Sequence, residues 1–286
     1  NNPEYLSDNA RSLAAANWLT AAGAAGQGFA GDGAGFPILV IARGSQLINQ
    51  DTDQSAAGPN PESFDVRDQF DGQLGDASTH FKFGCDGTAE SAVNVVSRFR
   101  YWPKAGKAYY NCDTGCHFLQ VGSGEMNVTG GDVKNVHLDG GYLNFAAAAT
   151  AAAAGTWDLM AGRSRVDTHA TDVLITVNVQ GGEEHEFLRG VTTLNIYNGL
   201  VILDIKNGSA TTINLFGGRL KIRSHNATMG TVVATGGELD LSELSRGITF
   251  PNGTVLGNVS IIGSKKGLVT FTTPTIRGRG PRQFID

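Results

Sequence analysis

From Leu119 to Ile261 the chain repeats one pattern: two alternating apolar residues, a glycine turn, then two more alternating apolar residues. The clearest copies are Ile213, Leu215, Gly217-Gly218, Leu220, Ile222 and Val232, Ala234, Gly236-Gly237, Leu239, Leu241. Others run Leu119, Val121, Gly124, Met126, Val128, then Val136, Leu138, Gly140-Gly141, Leu143, Phe145, and Leu194, Ile196, Gly199, Val201, Leu203. Alternation of period two places Ile213, Leu215, Leu220 and Ile222 on one side of a strand and Asn214, Arg219 and Lys221 on the other. The register glycines are Gly124, Gly141, Gly162, Gly182, Gly199, Gly218, Gly237 and Gly257, separated on subtraction by 17, 21, 20, 17, 19, 19 and 20 residues. A unit of that length cannot bury its apolar side alone and stacks on copies of itself. The pattern predicts an all-β chain, a single-chain parallel β-helix (β-solenoid) of about eight short rungs with these glycines as structural turns. Glycine pairs flanked by alternating apolar residues also signal antiparallel hairpins. Parallel coils are preferred because the copies follow one another with little between them.

Two copies depart from the rule. After Gly181-Gly182 the inward positions fall on Glu184 and Glu186, and two unpaired buried carboxylates are costly. Either a bulge shifts the register there, or the acids face a pocket or a partner. In another copy Phe145 is followed by alanines up to Ala154, broken only by Thr150, which reads as a subunit contact or as a low-complexity loop.

Outside the repeat the pattern changes. Residues 1–66 read as an N-terminal arm: an alanine-rich stretch from Ala10 to Ala25 with helix character, a glycine hinge, and the short strand Phe36-Pro37-Ile38-Leu39-Val40-Ile41. Residues 67–111 read as an irregular β cap, rich in bulky residues such as Phe99, Tyr101, Tyr109 and Tyr110 that cover an exposed end rung. The solenoid is expected over 112–273, and 274–286 reads as an extended basic tail in which Arg277, Arg279 and Arg282 alternate with Gly278, Gly280 and Pro281. The chain opens on Asn1, so its start is expected to be processed or to lie upstream.

Composition agrees with short strands and tight turns, with 39 Gly and only 17% charged residues. A net charge of -5 gives no electrostatic pull toward nucleic acid or an anionic membrane. No apolar run approaches the ~20 residues a bilayer span needs. Cys85, Cys112 and Cys116 are an odd set, and Cys112 and Cys116 with His117 fall short of four zinc ligands, so neither metal nor cofactor is expected. Asp139, Asp158, Asp167, Asp172, Glu183, Glu184 and Glu186 are the acids a glycan-cleaving solenoid would use. None forms a matched pair with a partnering His or Arg, His185 between two Glu being the nearest approach, so no catalytic residue is assigned and no enzyme is expected. For binding, Phe36, Ile38, Val40 and Ile41 are the candidates for arm docking and Arg277, Arg279 and Arg282 for tail docking on an acidic neighbour. The alternatives are packing on the chain's own solenoid for the first group and a solvated tail for the second. Tyr142, Trp157, Tyr197 and Phe216 are the few aromatics in the repeats that could stack on a glycan.

A glycine-punctuated solenoid flanked by an arm and a tail resembles the β-helical structural proteins of tailed bacteriophages, above all capsid cement or decoration subunits. The resemblance implies a virion component at the capsid surface, commonly a homotrimer, whose extended termini reach across the major capsid protein or other virion subunits. It also keeps open a tail fibre, spike or adhesin that binds host glycan, and, further off, a polysaccharide-degrading enzyme.

Overall fold

The computed structural model describes residues 63–78, 98–111, 116–130, 132–146, 155–167, 174–205, 209–223, 228–244, 247–263 and 268–278, and the backbone of 4–5, 11–12, 38–44, 47–49, 150–151 and 282–284. Among these residues there is no helix, and the parallel strands stack as a β-solenoid of about eight turns. Every pairing among the described strands is parallel, which excludes the hairpin alternative for them. Each turn gives one strand to a first sheet, passes a glycine corner, and gives a second strand to a second sheet. The chain divides into two compact units, Asn1–Ala152 and Ala153–Asp286.

In the second unit the first sheet stacks Thr156–Leu159, Leu174–Val179, Val191–Ile196, Ser209–Leu215, Thr228–Ala234, Val255–Leu256 and Thr275–Ile276. The second sheet stacks Arg163–Val166, Glu184–Phe187, Leu200–Leu203, Arg219–Ile222, Glu238–Asp240, Ser260–Ile262 and Arg282–Phe284. Register follows the alternation read from the sequence. Trp157, Val177, Leu194, Ile213 and Val232 lie one above another and are buried, as are Leu159, Val179, Ile196, Leu215 and Ala234. On the second sheet Val201, Leu220, Leu239 and Ile261 form the matching inward column. Each fully buried aliphatic side chain contributes about 1.5–3 kcal/mol.

Seven of the eight register glycines, Gly124, Gly141, Gly162, Gly182, Gly199, Gly218 and Gly237, have φ between 68 and 107°. Gly218 shows why: an added Cβ would stand 2.5 Å from the Gly199 carbonyl oxygen, so coil lies against coil through bare backbone. Gly257 is a correction. The pairings Leu256 with Ala234 and Ser260 with Glu238 put Val259, not Gly257, at the corner equivalent to Gly237. Gly257 takes the place of Thr235, and the positive-φ glycine of that coil, Gly253 (φ 89°), lies before Val255–Leu256 and not at the corner.

Parallel pairing also extends past both ends of 112–273. In the first unit Ile38–Gly44 lies between Glu4–Tyr5 and Ser63–Phe70, and Ser63–Phe70 pairs with Arg98–Tyr101, which pairs with Cys116–Val121. The strand containing Ile38, Val40 and Ile41 is therefore a paired strand of the first sheet and not a lone one. Phe36 and most of the expected helix lie outside the described residues, and Arg11–Ser12 within that stretch is a strand. The segment read as an irregular cap continues the stack: Phe99 lies over Leu119 and Tyr101 over Val121, both buried, with Phe64 and Phe99 meeting edge to face at 4.9 Å. Rings replace aliphatics at the same inward positions, and the strands there are spaced along the chain at intervals that break the period. At the other end Thr275–Ile276 and Arg282–Phe284 pair with Val255–Leu256 and Ser260–Ile262, so residues read as a basic tail form one more pair of strands.

Candidate functional site

With the inward positions of the second unit filled by apolar side chains apart from Ser164 and His185, the remaining chemistry is left to the outward positions, where the two sheets present different surfaces. On the first sheet, residues two apart on one strand and in register between strands make an array of three columns. Thr156, Thr176, Thr193, Thr212 and Thr231 form the first. Asp158, Asn178, Asn195, Asn214 and Val233 form the second. Met160, Gln180, Tyr197, Phe216 and Thr235 continue at the corner and are exposed. Their amides bond to the preceding coil, as in Tyr197 N to Val179 O and Phe216 N to Ile196 O, both 2.8 Å. Asp158 is the single charge among these fifteen positions.

The second column is a hydrogen-bonded ladder. Asn214 Nδ2 donates to Asn195 Oδ1, Asn195 Nδ2 to Asn178 Oδ1, and Asn178 Nδ2 to Asp158 Oδ1, each at 2.8 Å. A carboxamide suits this because it is donor and acceptor at once, and the coil spacing brings equivalent side chains within reach. Beside the ladder the rings of Tyr197 and Phe216 stack at 5.1 Å with 19° between planes, and they are 50% and 45% exposed.

The outward side of the second sheet is charged. Arg163 meets Glu183 (3.7 Å), Arg165 meets Glu186 (3.3 Å), and Arg219 meets both Glu238 (2.7 Å) and Asp240 (2.6 Å). Lys221 and Arg223 both reach Glu243, and Arg223 also approaches Glu186 at 3.8 Å. Asp240 is buried, which alone would raise its pKa. The Ser242 hydroxyl and amide and the Arg219 guanidinium outweigh that and hold the carboxyl below its ordinary value.

The anomaly at Glu184 and Glu186 resolves as a register shift. Glu183 N bonds to Gly162 O while Arg163 pairs with Glu184, so Glu183 is one extra residue in the turn. Glu184 is exposed, Glu186 half-buried, and the inward residues are His185 and Phe187. His185 Nε2–H donates to Gly181 O at 2.8 Å, and its Nδ1 accepts from Ser164 Oγ at 3.0 Å. That arrangement holds a neutral imidazole, and burial lowers its pKa against the smaller pull of Gly181 and Glu184.

In the first unit Asp139 accepts from Gln120 Nε2 and faces His137 Nε2, both at 2.9 Å. Lys107 pairs with Glu125, which also accepts from Asn127, and Asn144 Nδ2 donates to Asn127 Oδ1 at 3.0 Å. Burial would raise the Glu125 pKa, but Lys107 and Asn127 bring it below the usual carboxylate range.

Most of the acids considered for catalysis are thus held in structural pairs, Asp167 by Arg189 at 3.0 Å among them; Asp172 lies outside the described residues. Cys116 is buried while His117 stands outward on the same strand, so the two do not converge; Cys85 and Cys112 lie outside the described residues. Among the described residues no group of three or more His, Cys, Asp or Glu side chains is placed to hold a metal ion, and no helix is long and apolar enough to cross a membrane. Of the docking candidates, Ile38, Val40, Ile41 and Arg282 are on paired strands, Arg277 is exposed beyond Ile276, and Phe36 and Arg279 lie outside the described residues. Of the aromatics, Trp157 is buried at 1% exposure and Tyr142 half-buried, leaving Tyr197 and Phe216 at the surface. The threonine and asparagine columns were not singled out from the sequence. Their signal is the triplet Thr-aliphatic-Asn at Thr176-Val177-Asn178, Thr193-Leu194-Asn195 and Thr212-Ile213-Asn214. No protein-family model, curated protein or solved structure matches this chain.

Proposed function

We propose that this chain is a structural subunit of a virion, a capsid-associated cement or decoration protein whose second unit works as a stiff body. The observation that carries the reading is the joining of successive coils through their outward side chains. Asparagine bonds on one sheet and ion pairs on the other add cross-links to the backbone ladder and the buried columns. Such a body resists bending and transmits load between the subunits it touches. Contacts to the major capsid protein, or to sister copies in a homotrimer, fall to its outer surfaces and strand ends, because Ile38–Gly44 and Arg282–Phe284 are committed to their own sheets. Arg277, exposed beside Ile276, remains a contact for an acidic neighbour.

Immunogold labelling with an antibody raised against the chain, on particles banded at virion density from the source sample, tests this. Gold on intact capsids is expected. Label confined to unassembled protein, or to cells free of particles, overturns it. A second reading, an adhesin for host glycan, is favoured by the exposed Tyr197–Phe216 stack beside an amide ladder.

A further inference from the structure

We propose that the outward array on the first sheet of the second unit binds a neutral polysaccharide chain, lying along the columns of Thr193, Asn195, Tyr197 and their equivalents. The inference deepens the glycan reading and does not depend on a capsid location.

The chemistry of the array selects the ligand. With Asp158 as the one carboxylate among fifteen positions, it offers too little charge to attract a nucleic acid, a charged glycan or a strongly acidic or basic protein. It offers hydrogen bonds and ring faces. Asn178 and Asn195 each spend one N–H and one lone pair on their neighbours, Asn214 at the end of the ladder spends one N–H, and a carboxamide carries two of each. The threonine column adds hydroxyls that both donate and accept. Sugar hydroxyls are matched by such mixed groups, and the C–H faces of a sugar ring are matched by Tyr197 and Phe216, whose exposure at 50% and 45% is otherwise a solvation cost.

Geometry favours a chain-like, repeating ligand. The coils repeat every ~4.8 Å along the stack, so successive ligand units meet a threonine hydroxyl at each coil, an asparagine amide at three successive coils and a ring at two. The ladder also fixes the amides before binding, which lowers the ordering cost. The array covers on the order of 400 Å², from ~4.8 Å between coils and ~6.7 Å between alternate residues. A stable protein interface needs about 800 Å² per partner, so a second copy is the weaker occupant.

Affinity electrophoresis of the purified chain in gels containing dextran, mannan, hydroxyethyl cellulose or linear β-glucan tests the proposal. At least one of these neutral polymers is expected to retard the wild type, equally at low salt and at 1 M NaCl. The double variant Tyr197→Ala, Phe216→Ala removes only exposed rings and should keep the wild-type melting curve while weakening retardation at least tenfold. Thr212→Lys, which sets a long charged side chain in the middle of the array, should do the same. Arg165→Gln, on the second sheet, should bind as wild type. The proposal is overturned if no polymer retards the wild type, if the ring variant is retarded equally, or if sedimentation shows a wild-type dimer that the ring variant makes monomeric. None of these outcomes bears on whether gold labels a capsid.

Discussion

On the first sheet of the second unit, outward side chains of the coils at Thr193–Tyr197 and Thr212–Phe216 stack like on like: threonine over threonine, asparagine over asparagine, ring over ring. On the second sheet they are opposite: Arg163 beside Glu184, Arg165 beside Glu186, Arg219 beside Glu238 and Lys221 beside Asp240. Both arrangements answer one constraint. In a parallel, in-register stack the nearest outward neighbour of a residue is its own equivalent in the next coil, and like charges there repel. A side chain that is donor and acceptor together can repeat without limit, whereas a charged one must alternate in sign or be interrupted. Ile202 supplies the interruption in one column, standing between Glu186 and Lys221, and Leu200 precedes Arg219 in the other. The neutral column is free to serve as a repeating surface. The charged one is consumed by its own pairing.

The largest expected effect breaks both faces together. Gly218→Val forces a β-branched residue into φ 68° and drives its Cβ toward the Gly199 carbonyl at the corner joining the two sheets. A loss of more than about 3 kcal/mol is expected in denaturant melts. Next, Asp240→Ala strips the charged face of its buried acceptor and leaves Arg219 and Lys221 to repel each other less well compensated. The expected cost is about 2–3 kcal/mol. Asn195→Leu cuts the neutral ladder in the middle, with a cost of about 1 kcal/mol by thermal melting, because the outward side chains retain access to water. Raising NaCl to 1 M should separate the faces further. Exposed ion pairs weaken by less than about 1 kcal/mol in total, and melts of an Arg165→Gln, Glu186→Gln double variant should show a smaller salt response than wild type.

A pH titration sharpens the contrast from beneath the charged face. His185 has a folded pKa below its ordinary 6.5, so the unfolded chain takes up a proton first as the solution is acidified. Its contribution is therefore whole above 6.5 and is lost as pH falls from there toward the folded value. Melting temperatures of wild type should drop between pH 7.5 and 5 more than those of His185→Leu. An identical pH response in the two proteins would show that the imidazole is not held neutral inside.

Legibility followed local regularity. The columns Leu194, Ile213, Val232 and Val201, Leu220, Leu239 were readable because equal coil lengths put period-two alternation into register. The coils of Ser63–Phe70 and Arg98–Tyr101 were not, since their separation along the chain departs from the repeat length and aromatic residues fill positions held elsewhere by aliphatics. One extra residue, Glu183, was enough to reverse the apparent faces of Glu184 and His185, because a shift of one exchanges inside and outside throughout a strand. The Thr-x-Asn triplets were visible as text, yet their meaning as an array required knowing which strand lies beside which.

The sequence by itself determined the element type, the stacking of short repeats and the inward columns, since side-chain alternation and glycine corners are encoded within a few neighbouring residues; that the strands run parallel and not as hairpins was decided by their pairing. Only the tertiary structure decided that the outer segments join the same pairing, that His185 lies inside, and that one outward face is neutral while the other is charge-matched. Those properties depend on contacts between residues 17 to 22 positions apart, and their register is set by the length of each intervening loop.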